Sequence, residues 1–333
     1  MSHGAGGKAM RDLIDQIFVK TFANEQLNAL DDQARIPLHL FQAYGDRLAF
    51  TTDSYVVDPI FFPGGDIGSL AVNGTINDLA VGGAQPLYLS CSVILEEGMS
   101  IDALQLIACS MKQAADEAGV QIVTGDTKVV PRGKGDKVYI NTTGIGVIPE
   151  GVELKPEKIC ATDKVIVSGY VGDHGTAILN ARGDLSFNLD VKSDCQSLAS
   201  LVSVMLDACP NIRAMRDATR GGVATLLNEF AERANLTLEI EEAQVPIRPE
   251  VKGICEVLGL NPLYFANEGT LIAVVPENSA NGLIDAMRAH PSGKNAAIIG
   301  EALLAEPRVV VKTAFGSRRI LDMLVSEQLP RIC

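Results

Sequence analysis

The sequence predicts an α+β protein built from two α/β-type domains, and three observations carry that reading. Strand-like and helix-like runs follow one another without the strict βαβ alternation of an all-parallel sheet. The composition changes near Pro149, where IPEGVELKPEK gathers prolines and charges as a linker does. The chain has 333 residues, 47% of them hydrophobic, which is enough to bury a core in each of about two domains.

Each element has its own signal. Residues 9–35 read as a helical arm, because MRDLIDQIFVKTFANEQL spaces its apolar residues at about a helical period. LAFTTDSYVV reads as a strand and FFPGGDIG as a turn. GSLAVNGTINDLAVGGAQP reads as a helix closed by Gly82 and Gly83 and stopped by Pro86. LYLSCSVIL is a buried strand. Ser100 then caps a helix whose apolar face is Ile101, Leu104, Ile107, Ala108, Met111 and Ala115, with Gly119 at the position after its end. QIVTGDTKVV and KVYINTTGIGVI are strands joined by the turn RGKGDK. Beyond the linker, KVIVSGYVGDHG runs from strand into a glycine loop. Helices are expected over Leu198–Ala208 and Val223–Ala234 and in SANGLIDAMRAH, and strands in TLEIEEAQVPI, TLIAVV and AAIIGEAL. ILDMLVSEQLPRIC reads as a short helix and an exposed end. The expected organisation is an arm over 1–36, a first domain over 37–150, a second over 151–310, and a C-terminal helix and tail over 311–333.

Composition excludes several functions. Lys plus Arg is 28 and Asp plus Glu is 41, a formal charge of −13, which argues against nucleic acid and against an anionic membrane as partners. The N-terminus has no apolar leader, and no apolar run approaches spanning length. Seven cysteines without a C-x-x-C pair read as thiols of a reducing, cytoplasmic compartment. The four histidines are scattered, so a zinc site has little support.

Five features carry chemistry, each with a plainer reading beside it. HGAGGKAM looks like a phosphate loop, but Ser2 and Ala9 stand where that motif needs Gly and Ser or Thr. By themselves Gly4, Gly6, Gly7 and Lys8 are a flexible start. Asp follows Gly at Asp46, Asp66, Asp126, Asp136, Asp173 and Asp184, good turn chemistry and also a hard oxygen ligand on a sharp bend; Asp46 and Asp126 abut strands. Asn73, Asn77 and Asp78 occupy one helix among small and apolar neighbours, where a solvated face is poorly supported. DATRGG opens a helix, so Asp217, Arg220, Gly221 and Gly222 could hold a phosphate and its metal or form an ordinary turn; Asn267-Glu268-Gly269 offers a base or a cap. Cys333 ends the chain. From Val325 an extended tail spans roughly 26 Å, so this thiol can reach a distant pocket, or it is an incidental residue on a frayed end.

Taken together, HGAGGKAM, GDRLAFTTDSYVVDPIFFPGGDIG, GTINDLAV, TGDTKVV, GDHG, DATRGG, FANEG and the terminal PRIC resemble the hydrogenase-maturation carbamoyl dehydratases of the aminoimidazole ribonucleotide synthetase superfamily. The resemblance covers nearly the whole chain, and PRIC is its most specific part. It implies a homodimer whose N-terminal domains pair through a β-barrel-like sheet, a flexible C-terminal tail, and ATP with Mg2+ as cofactors. It implies Asp46, Asp78 and Asp217 as metal ligands. Gly6, Gly7, Lys8, Asp53, Asn77, Gly125, Asp126, Arg220 and Gly221 are implied on the nucleotide. It also implies that Cys333 receives a carbamoyl group from a carbamoyltransferase maturation protein. ATP-dependent dehydration then makes a thiocyanate, with Glu268 first and Lys128 second as the base, for delivery to an iron-scaffold maturation complex. Two rivals are a sister ATP enzyme acting on a free small molecule and a non-catalytic docking subunit.

Overall fold

The computed structural model describes residues 2–4, 6–183 and 190–324. A 3-10 turn (Ser2–Gly4) precedes α1 (Lys8–Leu13), a π-helical stretch (Ile14–Val19) and α2 (Lys20–Phe22). These bury Leu13, Ile17, Phe18 and Phe22 on one side, as their spacing predicts. The arm is not helical throughout 9–35, because Asn24 breaks it. Its side chain caps α3 (Glu25–Asn28) by accepting from Leu27 N at 2.9 Å, and it donates to Ile122 O at 2.8 Å. α4 (Leu38–Gln42) leads into the first sheet.

That sheet has four strands, β1 (Arg47–Tyr55), β4 (Gln85–Glu96), β5 (Gln121–Val130) and β6 (Val138–Ile148), in the order β1-β6-β4-β5. A small hairpin, β2 (Phe61–Phe62) with β3 (Gly65–Asp66), precedes helix α5 (Ile67–Val81), and α6 (Ile101–Glu117) crosses between β4 and β5. Along β1, Ala49, Thr51, Asp53 and Tyr55 face α5, whereas Leu48, Phe50, Thr52 and Ser54 face outward. The expected barrel-like closure is not found. Among the described residues β1 pairs only with β6 and β5 only with β4, so the sheet is open at both edges. Four strands are too few to close on themselves.

The second sheet has seven strands in the order β13-β12-β9-β11-β7-β10-β8. They are β7 (Lys164–Val167), β8 (Ala214–Asp217), β9 (Thr237–Glu241), β10 (Leu271–Val275), β11 (Ala297–Leu303), β12 (Arg308–Lys312) and β13 (Arg318–Ile320). Only β9 with β12 is parallel. One face packs on α9 (Gly222–Ala234), the other on α8 (Ala199–Ala208) and α11 (Glu277–Ala289). A smaller apolar cluster joins α10 (Pro249–Leu258) to the region of α7 (Asp173–Arg182). β8, α10, β12 and β13 carry no expectation from the sequence. The strands among them are three to five residues long, too short for a periodicity to declare itself. The expected C-terminal helix is absent where it can be seen, since Ile320 ends a strand and 321–324 have no regular structure. No helix among the described residues is long and apolar enough to cross a membrane.

Candidate functional site

The site is assembled around α5. Its N-terminus is fixed by Asp66, whose Oδ1 accepts from Gly68 N at 2.7 Å and Ser69 N at 3.0 Å, while the Ser69 hydroxyl meets the Asp66 backbone in return. The helix is buried on nearly every side, so Asn73 and Asn77 are not a solvated face. Asn77 is fully occupied by backbone. Its Nδ2 donates to Gln196 O at 3.0 Å and Glu268 O at 3.2 Å, and its Oδ1 accepts from Leu198 N at 2.7 Å. Gly74 is required because a Cβ there would lie 2.3 Å from the Tyr55 hydroxyl. Asp78 points toward β1 and accepts from the Thr51 hydroxyl at 3.1 Å.

Two loops from the second sheet meet this helix. The first follows β8 and carries Asp217, Arg220, Gly221 and Gly222. Both glycines have left-handed φ, and a Cβ on Gly222 would lie 2.5 Å from Phe265 O and 2.6 Å from Leu263 O, so the turn into α9 admits no other residue. The second is Asn267-Glu268-Gly269. Asn267 donates to Ala218 O at 3.0 Å and accepts from Gly172 N at 2.7 Å, which joins the two glycine loops. Asp194 accepts from Glu268 N at 3.0 Å and from Gly269 N at 3.1 Å.

The result is a crowd of carboxylates: Asp53, Asp78, Asp217 and Glu268. Glu268 is 2% exposed, and its Oε1 has no hydrogen-bond partner. Burial, then the charges of Asp217, Asp194 and Asp53, push its carboxyl well above the ordinary range, against the pull of Arg220. Burial and the charge of Asp78 push Asp217 up to about 7. Burial of its carboxylate also raises Asp78, with Asp53 adding to it and Thr51, Arg216 and Arg220 opposing, although the residue keeps solvent contact that tempers the effect. Such a centre attracts cations. Among the described residues no three His, Cys, Asp or Glu side chains converge to hold an ion alone.

The remaining predicted residues lie elsewhere. Register places Asp126 beside Ser92, Asn141 and Ser54 in a row on the outer face of the first sheet, and Lys128 beside Ile94 on that same face. Asp53, Thr142, Cys91 and Gly125 form the neighbouring row on the inner face. Asp126 and Lys128 pair at 2.6 Å, both exposed. They occupy the edge strand opposite β1, three strand spacings or roughly 14 Å from it. Glu268 and Lys128 are therefore not brought together within one chain. Gly125 lets β5 approach β4, since a Cβ would lie 2.1 Å from Cys91 O. The glycine arm meets the same strand, with Gly4 against Val129, while Gly6 and Gly7 stand in open space and Lys8 pairs with Asp12 at 2.6 Å. A cavity of about 520 Å³ lies between the arm's Phe18, Phe22 and Leu27 and residues 122–127 of β5. Asp46 pairs with Arg47 at 3.3 Å before the start of β1, seven residues and roughly 23 Å along the strand from Asp53. Cys333 lies outside the described residues.

Sequence reasoning passed over Thr51, Asp194 and Gln196. KSDCQSL marks a polar stretch before an apolar helix, but nothing in it points to Glu268, 74 residues later.

The chain matches the AIR synthase related protein N-terminal domain over residues 30–148 and the C-terminal domain of the same family over 161–312. It is thus a member of the AIR synthase related class. Carbamoyl dehydratase HypE of Rhodobacter capsulatus is 54% identical over 334 residues, covering 100% of this chain and 97% of that protein. The crystal structure of E. coli HypE, a hydrogenase maturation protein, superposes with a TM-score of 0.94 at 48% identity, over 97% of this chain and 100% of that one. HypE crystallised in complex with ATP gives a TM-score of 0.93 at 47% identity, over 100% and 99%. HypE in a complex with HypF gives 0.81 at 41%, over 94% and 99%. Within that class, the chain belongs to the HypE family of carbamoyl dehydratases.

Proposed function

We propose that this protein uses ATP to dehydrate the S-carboxamide on its own Cys333 to a thiocyanate, which supplies the cyanide ligand for the iron of [NiFe]-hydrogenase. The observation that carries the chemistry is Glu268, a buried carboxylate with an unpartnered oxygen amid other acids. Likeness to HypE along the whole chain supports the reaction.

The carboxamide oxygen must leave as phosphate, and the nitrogen must give up its two protons. Glu268, with its buried and unpartnered Oε1, is the acceptor for one of them, and the departing phosphate carries off the other. Asp78 and Asp217, with Asp53 beside them, would hold Mg2+, which would supply positive charge for phosphoryl transfer. Arg220 at the mouth of the loop adds a positive charge beside them. The likeness to ATP-bound HypE supports ATP as the nucleotide. Its base suits the cavity under the arm, with Gly6, Gly7 and Lys8 closing on the phosphates and Asp126 and Lys128 at the strand edge. Covalent attachment of the carboxamide supplies effective concentration to a weak oxygen nucleophile.

A HypF-like carbamoyltransferase loads Cys333, a reading supported by the HypE–HypF complex, and an iron-scaffold complex receives the product. The exposed outward residues Leu48, Phe50 and Ile94 support a homodimer. The deciding experiment is mass spectrometry of the C-terminal peptide of the carbamoylated chain after addition of ATP. Loss of one water on Cys333 is expected; an unchanged peptide mass, with ATP consumed, would point to a free small-molecule substrate instead.

A further inference from the structure

Glu268 is gripped on its backbone by the stretch Ser193–Gln196, and we propose that Asp194 is the positioning residue of the dehydration, setting the Glu268 main chain so that its carboxylate meets the carboxamide. The inference rests on Glu268 being the proton acceptor. Asp194 gives both its oxygens to consecutive amides, Glu268 N at 3.0 Å and Gly269 N at 3.1 Å. Gln196 Nε2 donates to Gly269 O at 3.0 Å, and Asn77 bridges Gln196 O and Glu268 O. The approach is so close that a Cβ on Gly269 would lie 1.9 Å from Asp194 O. Every backbone polar group on either side of the Glu268–Gly269 peptide is thus held by one short segment or by the helix beneath it.

The segment is itself anchored to both halves of the protein. Ser193 N donates to Pro63 O at 2.8 Å, and a Cβ on Gly64 would lie 2.7 Å from Ser193 O. The Ser193 hydroxyl meets His174 Nδ1 at 2.8 Å and accepts from Cys195 N at 3.0 Å. His174 stands edge-on to Phe62, ring centroids 5.6 Å apart. Two motifs that the reaction leaves unexplained, FFPGG and GDHG, therefore converge on one bracket behind Glu268. Misplacing a reacting group by about 1 Å costs on the order of a hundredfold in rate.

The test uses the full chain, carbamoylated on Cys333. Asp194→Asn turns one acceptor into a donor facing an N–H. We expect water loss from Cys333 at saturating ATP to slow by roughly tenfold to a hundredfold, while the ATP concentration giving half the maximal rate stays within about twofold. A rate within about twofold of the parent overturns the proposal, and so does a large rise in the ATP requirement, which would make Asp194 a nucleotide-site residue. If Asp194→Asn does not fold, Gln196→Ala removes a single contact; about threefold to tenfold slower turnover with the ATP requirement unmoved is expected, and an unchanged rate overturns it. Glu268→Gln is measured alongside. Full activity there removes the base and with it the group being positioned; a slow Glu268→Gln beside a fast Asp194→Asn removes only the positioning.

Discussion

The two edges of the first sheet carry the predicted chemistry in opposite ways. At the β1 edge, Asp53 joins Asp78, Asp217 and Glu268 on the inner face, where burial and like charge raise three of the carboxyls. At the β5 edge, Asp126 and Lys128 stand exposed on the outer face and neutralise one another at 2.6 Å. The first group owes its properties to its surroundings and the second to its reach. Substitution of Glu268 in the first should change the chemistry; substitution of Lys128 in the second should change how firmly ATP is held.

The sharpest way to break that contrast is Glu268→Gln. Loss of the base should slow thiocyanate formation by about 10²- to 10⁴-fold, while nucleotide binding measured by calorimetry survives. Lys128→Ala should cost roughly tenfold, seen as a higher ATP requirement, because an exposed cation contacting a phosphate contributes on the order of 1.5 kcal/mol. If Lys128→Ala stops dehydration at saturating ATP, the strand-edge lysine belongs to the chemistry and the division fails.

A smaller effect concerns stability. The Asp217 carboxyl rises from an ordinary 3.8 to about 7, so the native state keeps a proton that the unfolded chain releases. The native state is therefore penalised as pH rises from about 4 through 7. Without divalent cation, Asp217→Asn should gain up to about 4 kcal/mol at pH 8 and only about 0.5 kcal/mol at pH 4, at 1.36 kcal/mol per unit. Urea unfolding at the two pH values measures it, and a variant weakened at pH 8 would show that the charge is already compensated. Asp46→Asn should be the mildest, within about twofold in rate, since Asp46 pairs with Arg47 far along β1. Failure of that variant to use ATP would bring Asp46 back among the metal ligands.

The elements with strong periodicity were legible. α6 has its Ser100 cap and its Gly119 terminus where the sequence places them, and α9 starts and ends within a residue of expectation. Glu268 was legible as a polar break before the apolar strand TLIAVV, and Asp217 as part of the glycine turn that opens an amphipathic helix. Asp194 was not, because its partners come from a distant loop and hydrogen bonds to backbone amides leave no side-chain signature. The open sheet was also hidden: strand patterns show which residues alternate, not whether the outer strands find each other. Asn77 shows a further limit. An amide on a buried helix signals a constraint, and the sequence cannot say whether the partner is a ligand or the protein's own backbone, as it is here.

α5 has a consequence for how the molecule comes apart. Its first turns, Ile67 to Ile76, belong to the core of the first sheet, and its last, Ala80 and Val81, to the core shared with α8 and α11. One rod of secondary structure thus lies in two hydrophobic interiors, so neither half can lose its packing without stripping a side of the other. The amides of α5 should be among the slowest to exchange with solvent deuterium, and heat should release both halves in a single cooperative transition.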